Sequence, residues 1–519
     1  MLSVSFQVSA GSMKRLRCFN LDSPQPDEGA SNCSGPPRFG PLDVDELFDW
    51  ESRIVCDLVA SDGGDEKMDR VWRNLNQDIN IDSVCSGMLT EVSALSALIG
   101  YLKDQDHSAV RGKLTVQSAC DYSPLACRVM SALPAALKPR HLFSDYCERI
   151  PKKVLADLCN VQSVIEKRLA QLDFKNVKEM HLKGGQMKLE EFAKILSQLD
   201  FKVTNRSWCM LDKQMCNCKA CVCNGLQLVV AGISCKNYSP MGPQSAADGD
   251  DFNMVVVFIF ERRAYKEDII LLENVPASLR TLLPLLNRFL GHLYTIEFLI
   301  ASPNQFGWPM SRRRAFLLLR NRQTVDCALP FNSSLLEGFK RSTMMCGNDL
   351  FMAPTDYLAE RPATGPLQKS LKLGDVERLE YQKSTVKDKD KLNHCIVNVG
   401  QRKKAQPNLV IPSLLCASKL ASLKHNRLLM GREHLSAMGW HVWPGVASQA
   451  PKQLCPFVDV LGEFTETQLK SLSGNGIHVM VLGIVLLNVL AISEKKAEVA
   501  DQFDVEPDGH SDSCLFQHC

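Results

Sequence analysis

The chain has 519 residues, 45% of them hydrophobic, enough to bury a full core as one large domain with a smaller one. With 60 Lys and Arg against 58 Asp and Glu, its net charge of +2 excludes a globally basic nucleic-acid binder, so any such contact has to come from local patches. The 21 cysteines are irregularly scattered at far below disulfide-scaffold density, which suits reduced thiols of the cytosol or nucleus.

The N-terminal stretch "MLSVSFQVSAGSMKRLRCF" places its basic residues after a weakly apolar start, the reverse of a secretory signal. Residues 20–45 are rich in Pro, Gly, Ser and Asp, so 1–45 reads as a disordered leader. From there, strand-like and helix-like segments alternate. "INIDSVCSG" is a strand running into a glycine turn, "TEVSALSALIGYL" an amphipathic helix, and "KLTVQSACD" a second strand. "PLACRVMSAL" is a helix and "HLFSD" a third strand, followed by a helical, Cys-rich insert over 151–225. "LQLVVAG" is a fourth strand. "NMVVVFIFERRAY" reads as a helix despite its β-branched residues, because it links two parallel-type strands. "DIILLENV" is a fifth strand, "SLRTLLPLLNRFLGHL" a helix, and "TIEFLIAS" with "RAFLLLRN" a closing strand pair.

Continuous apolar strands separated by helices predict an α/β fold with a mostly parallel, doubly wound sheet over 46–334. Residues 335–445 are charged and turn-rich, a small irregular lobe, and 446–492 returns to the sheet domain. "GIHVMVLGIVLLNVLAI" contains His478 and Asn488 and is shorter than the roughly 20 residues a spanning helix needs. It is expected to be a buried closing helix, with 493–519 a polar, disordered tail and no membrane partner.

In such a sheet, ligands sit at the carboxyl ends of the strands, which puts Cys85–Glu91, Asp121, Asp145, Cys235 and Glu273 on one rim. Gly87 would let the backbone approach a ligand. Asp121 is placed to accept from ribose hydroxyls and Asp145 from an adenine amino group, although strand-end acids also serve as turn formers and helix caps. Cys235 and Glu273 end two strands that the pattern makes neighbours. A lone cysteine is often a small buried hydrophobe, but a carboxylate directly after "DIILL" is costly to bury without a partner.

Taken together, these segments resemble the C-5 cytosine-specific DNA methyltransferases, which use S-adenosylmethionine. "VCSGMLTEVSAL" resembles the family's F-x-G-x-G loop, and "ACDYSPLACRVM" and "HLFSDY" its two following acidic steps. "AGISCKNYS" is similar to the nucleophile loop G-x-P-C-Q-x-F-S, "LLENVPAS" to the E-N-V motif, and "FGWPMSRRRAFLLL" to F-G-x-P-Q-x-R-x-R-x-F. "RLLMGREHLSAMGW" and "SGNGIHVMVLGIVLL" resemble the last two motifs, and all eight stand in family order. The chain departs from the pattern at Leu89, Ser234, Lys236 and Met310.

The resemblance implies a Rossmann-like methyltransferase sheet with a target-recognition lobe, and DNA (cytosine-5)-methyltransferase activity. Cys235 would add to carbon 6 of a flipped-out cytosine and Glu273 would steady the ring at N3, with Arg312 and Arg314 holding the base and the nucleophile loop. It implies cofactor contacts at Cys85, Ser86, Gly87, Met88, Asp121, Tyr122, Asp145, Tyr146 and Asn475. The expected partner is double-stranded DNA and the expected location the nucleus; the alternatives are a tRNA cytosine-5 methyltransferase, a catalytically weak or silent DNA-binding scaffold, and the cytoplasm as the location. Basic residues in "GQRKKAQ" and "KLASLKHNRLLMGRE" are candidates for phosphate contact, and Arg432 and Glu433 for bracing the lobe. Apart from the resemblance, Cys209, Cys216, Cys218, Cys221 and Cys223 offer thiolates at a spacing that suits a structural zinc ion, or are simply reduced thiols.

Overall fold

The computed structural model describes residues 38–496, apart from 86, 106–109, 174–182, 185–186, 188–189, 192–193, 195–205, 219–223, 235–250, 362–365, 387, 401–406 and 444–454. Its centre is a seven-stranded sheet. The strands are β1 (Ile79–Val84), β2 (Leu114–Cys120), β3 (His141–Phe143), β6 (Leu226–Ala231), β7 (Ile269–Asn274), β8 (Tyr294–Ala301) and β9 (Arg314–Asn321); β4 (Arg206–Cys209) and β5 (Gln214–Asn217) form a separate hairpin. The order is β3-β2-β1-β6-β7-β9-β8, and only β9 runs antiparallel to its neighbours. This is the mostly parallel, doubly wound sheet that the alternating segments predict.

The sheet divides two apolar cores, and the period of two along each strand sorts side chains between them. Ile269 and Leu271 of β7 enter one core, Ile270 and Leu272 the other. All six residues of β7 are buried, as a central strand covered on both faces requires. On one face lie the helices Asp251–Tyr265 and Leu279–Leu290. On the other lie Trp50–Val59, Gly64–Leu75, Thr90–Gln105 and the closing helix Val479–Ile492, buried at all 14 positions. Gly483 lies against the Trp50 ring: a Cβ added there would sit 2.4 Å from Cζ3.

Helix ends leave carbonyls and N–H groups unpaired unless side chains reach them. At the closing helix's C-terminus, Asn74 Nδ2 donates to the carbonyls of Leu490 (2.8 Å) and Ser493 (2.7 Å), and Arg320 donates to that of Ile492 (3.1 Å). At its start, His478 Nδ1 accepts from the Val481 N–H; burial, with Arg312 nearby, pushes this imidazole down to about 3 and keeps it neutral.

Under the Asp251–Tyr265 face lies a buried ionic network. Glu261 accepts from Arg149 (2.9 Å), Arg262 (2.8 Å) and the Tyr146 hydroxyl, and Arg262 also pairs with Glu267 (3.0 Å). Burial alone would raise the Glu261 carboxyl; the two guanidiniums outweigh it and hold the group below its usual range.

The chain from 335 onward carries a three-stranded antiparallel sheet, Ile396–Asn398, Leu420–Ser422 and Arg427–Leu428, with a small core of its own around Leu367, Leu379 and Val397. Glu433 braces this region. Its carboxylate accepts from Arg427 (2.8 and 2.6 Å) and from the N–H groups of Met430 and Ala353 (both 2.8 Å), while Arg432 stacks over Tyr357 and Trp443.

Two boundaries differ from expectation. Residues 38–45 belong to the fold: Gly40 N–H donates to Ser342 (2.8 Å), and Asp43 caps the helix Val44–Phe48. Ser493–Lys495, assigned above to the tail, pairs as a strand with Val325–Cys327. Local composition misses both, because their partners are distant in the chain. The rest of the leader (1–37) and tail (497–519), and much of the insert after the helix Lys152–Leu169, lie outside the described residues.

Candidate active site

The carboxyl ends of β1, β2, β3, β6 and β7 share one edge, and main-chain bonds lock the first loops together. Cys85 N–H donates to Cys120 (2.7 Å), Asp121 N–H to Phe143 (3.1 Å) and Gly232 N–H to Val84 (2.9 Å). After β1 the chain takes positive φ at three alternate residues, Cys85 (54°), Gly87 (77°) and Leu89 (57°). Only the second is glycine, and each of the others costs roughly 1 kcal/mol in this left-handed region. Leu89 thus departs from the family pattern in side chain while keeping a backbone that glycine adopts most cheaply, and its side chain is buried in the main core. A Cβ added at Gly87 would meet the Asn475 carbonyl at 3.9 Å and Gly476 Cα at 4.0 Å, ordinary van der Waals contact, so this loop packs against the end of the helix Glu466–Asn475.

Asp121 holds this loop. Its Oδ2 accepts from Gly87 N–H (3.0 Å) and its Oδ1 from Ser123 N–H (2.8 Å). Burial pushes its carboxyl up to about 6, against the lowering effect of those two bonds. Beside it, Tyr122 is 78% exposed, an unusual position for a large ring with an apolar body. Asp145 caps its own turn, accepting from Cys147 N–H (2.8 Å). Asn475 Oδ1 accepts from the Cys416 thiol (3.0 Å) beside the Gly87 loop.

Across the edge, β6 and β7 pair in parallel up to Ala231 and Leu272. Beyond that register, Asn274 Nδ2 donates to the Ile233 carbonyl (2.9 Å), tying the end of β7 to the segment that leads into Cys235. Glu273 is 8% exposed, with Arg314 Nε 2.9 Å from its Oε1. The neighbouring strand therefore supplies the partner that a buried carboxylate requires. Cys235 and Ser86 lie outside the described residues, as do Cys221 and Cys223. The sequence reading overlooked Asn274 as a positioning group, although it stands inside the quoted "LLENVPAS".

Several expected site residues are placed elsewhere. The Tyr146 side chain is fully buried, its hydroxyl committed to Glu261, leaving only its main chain to face a cofactor. The Met88 side chain is likewise buried in the core, leaving only its main chain for such a role. The described hydrogen bonds of the Arg312 guanidinium go to the carbonyls of Leu414 (2.9 Å), Gly474 (3.0 Å) and Gly476 (2.7 Å), a tie between the lobe and the end of the helix Glu466–Asn475, beside the Gly87 loop. Met310, where the family has glutamine, is fully buried at the junction with Ile411. Of the basic residues offered to phosphate, Arg427 is buried on Glu433 and Lys419 pairs with Asp375 (2.7 Å), whereas Lys424 is exposed. "GQRKKAQ" lies almost wholly outside the described residues.

The thiols also divide differently. Cys209 and Cys216 gather with His141 and Asp212, whereas Cys218 is buried beside Arg149, Glu261 and Glu148 and does not join them. No local signal in the sequence brings His141 to this group, since it stands 71 residues from Asp212.

No family model matches the chain, and no curated protein does. Similar solved structures include the Entamoeba histolytica methyltransferase EhMeth (13% identity, 80% of this chain and 98% of that one, TM-score 0.39). The S. pombe Dnmt2 methyltransferase (14%, 80% and 98%, 0.38) and a mutant of Spodoptera frugiperda DNMT2 (12%, 80% and 99%, 0.36) are others. At such overlaps the likeness carries no argument. The order of the strands and of the motifs along them makes this chain similar to the C-5 cytosine methyltransferases, as a divergent sequence on the same kind of sheet.

Proposed function

We propose that this chain is an S-adenosylmethionine-dependent methyltransferase acting on carbon 5 of cytosine in duplex DNA. The observation that supports it most directly is the pairing of β6 with β7. That register puts the segment leading into Cys235 beside the buried Glu273–Arg314 pair, on the edge that also carries the Gly87 loop.

The left-handed Gly87 loop, the Asp121 carboxylate and the exposed Tyr122 ring fit a nucleoside-bearing cofactor. Asp121 would accept from its ribose hydroxyls and Tyr122 would cover its base. When bound, S-adenosylmethionine supplies an electrophilic methyl group to carbon 5. The protein's own part is to make that carbon nucleophilic. The Cys235 thiolate adds to carbon 6, moving the electron pair of the 5,6 double bond toward carbon 5 and the ring. Glu273, oriented by Arg314, steadies the charge at the N3 edge. Loss of the carbon 5 proton to a base then expels the Cys235 thiolate and restores the double bond.

Radiolabelled methyl transfer to a cytosine-containing duplex tests the reading, with folded RNA as competitor. Cys235→Ser should abolish transfer, and Glu273→Gln should slow it about 10²–10⁴-fold. A duplex containing 5-fluorocytosine should trap wild type as a covalent adduct, since fluorine cannot leave as a proton does. Equal incorporation by wild type and Cys235→Ser removes the thiol from the chemistry. Absence of any adduct or transfer favours a binding scaffold, and preference for RNA changes the polymer.

A further inference from the structure

We propose that His141, Cys209, Asp212 and Cys216 bind one zinc ion, which fastens the β4–β5 hairpin to the free edge of the sheet. This site is separate from the strand-end chemistry and does not depend on it.

The four side chains come from two places that are distant in sequence. His141 opens β3, the edge strand; Cys209 ends β4, Cys216 lies in β5, and Asp212 is in the turn between them. One ligand atom from each lies within 4.8 Å of all the others. Asp212 Oδ2 is 2.9 Å from His141 Nδ1 and 3.2 Å from Cys216 Sγ. A tetrahedral zinc ion, with bonds of about 2.3 Å to sulfur and 2.0–2.2 Å to nitrogen and oxygen, sets its ligand atoms about 3.3–3.8 Å apart. Small side-chain rotations bring the present group to those separations. Two sulfurs, one imidazole and one carboxylate are a donor set zinc accepts, and four protein ligands close the site, as a structural role requires.

The hairpin backbone is already shaped for this. Lys213 takes φ 53° to close the turn, and its N–H donates to the Cys209 carbonyl (2.9 Å). The Asp212 N–H points at Cys209 Sγ (3.5 Å), a bond that strengthens when the sulfur becomes a thiolate. Both sulfurs are buried, while His141 and Asp212 are about one-third exposed, which leaves an entry path from solvent. Binding displaces the two thiol protons, so one zinc ion with two thiolates, one carboxylate and a neutral imidazole carries a net charge of −1.

The site answers a problem of the fold. β3 has only three residues and a neighbour on one side, and among the described residues a single main-chain bond, Met210 N–H to the Leu142 carbonyl (2.8 Å), joins the hairpin to it. Edge strands need a cover; a metal bridge through His141 supplies one without a longer ladder.

Full-length protein, dialysed against metal-free buffer, should retain one zinc per chain by elemental analysis. Zinc-edge X-ray absorption on the wild type should show two sulfur and two lighter ligands. Cys209→Ser/Cys216→Ser should carry no zinc, and Asp212→Asn should lose it to a chromogenic chelator at least about tenfold more readily. Wild type without zinc overturns the proposal. A four-sulfur shell also overturns it, since it points to Cys218, Cys221 and Cys223. Zinc retained by the double variant does the same, and the wild-type spectrum decides the matter even if that variant fails to fold.

Discussion

Asp121→Asn separates the cost of burying a carboxylate from the use made of it. In the wild type the two oxygens serve different donors, Gly87 N–H at 3.0 Å and Ser123 N–H at 2.8 Å. An amide has one acceptor oxygen, so one of these N–H groups must face an NH2, losing a charge-assisted bond worth about 1.5–3 kcal/mol. Against that, burial displaces the wild-type carboxyl from 3.8 to about 6, which corresponds to about 3 kcal/mol of destabilisation once the group is ionised. The rise to about 6 is net of both bonds, so at pH 8 the amide variant should be more stable than wild type, by up to about 3 kcal/mol. That gain should disappear in acid. Because its folded value is the higher one, the wild type binds more protons when folded, and this group's contribution to stability falls as pH rises from about 4 to about 6. The amide variant lacks that slope. Denaturant titrations of both proteins at intervals between pH 4 and 8 measure it, and calorimetry at pH 8 should show cofactor binding weakened about 10–150-fold. Parallel stability curves would refute the burial argument, and unchanged affinity would refute the placing of Asp121 at the ribose.

Glu261→Ala leaves the Arg149 guanidinium buried without its carboxylate, and should cost about 3–5 kcal/mol in a denaturant titration; Tyr146→Phe, which removes only a hydroxyl from the same network, should cost about 1 kcal/mol. A Glu261→Ala loss under about 1 kcal/mol would show the network to be slack. Gly483→Ala should destabilise by about 1–3 kcal/mol, because the new methyl overlaps the Trp50 ring; a thermal midpoint equal to wild type would mean that helix and ring can part.

The sheet was readable because each strand is a short apolar run closed by a turn residue, a local pattern. Even the helix Asp251–Tyr265, β-branched as it is, follows from the parallel strands on either side. Of the three left-handed residues after β1, only Gly87 was readable, since Cys85 and Leu89 carry no glycine to mark them. Tyr146 sits in the right motif, but its side chain is buried because Glu261 offers its hydroxyl a partner; the Arg312 guanidinium is held on the carbonyls of Gly474 and Gly476, next to the Gly87 loop. Spacing alone grouped five thiols; among the described residues Cys209 and Cys216 stay together and are joined by His141 and Asp212, which only the folded chain brings near.

The helix Val479–Ile492 has one more effect, on how the molecule is made. It is among the last described segments to leave the ribosome, yet it lies against the first helices, and Arg73 meets Glu494 across the seam at 2.7 Å. Until it arrives, the apolar faces of Trp50–Val59, Gly64–Leu75 and Thr90–Gln105 lack the cover it gives them. The nascent sheet must therefore wait unfinished through several hundred residues of synthesis, a period in which a holding chaperone would matter more to yield than any later gain in stability.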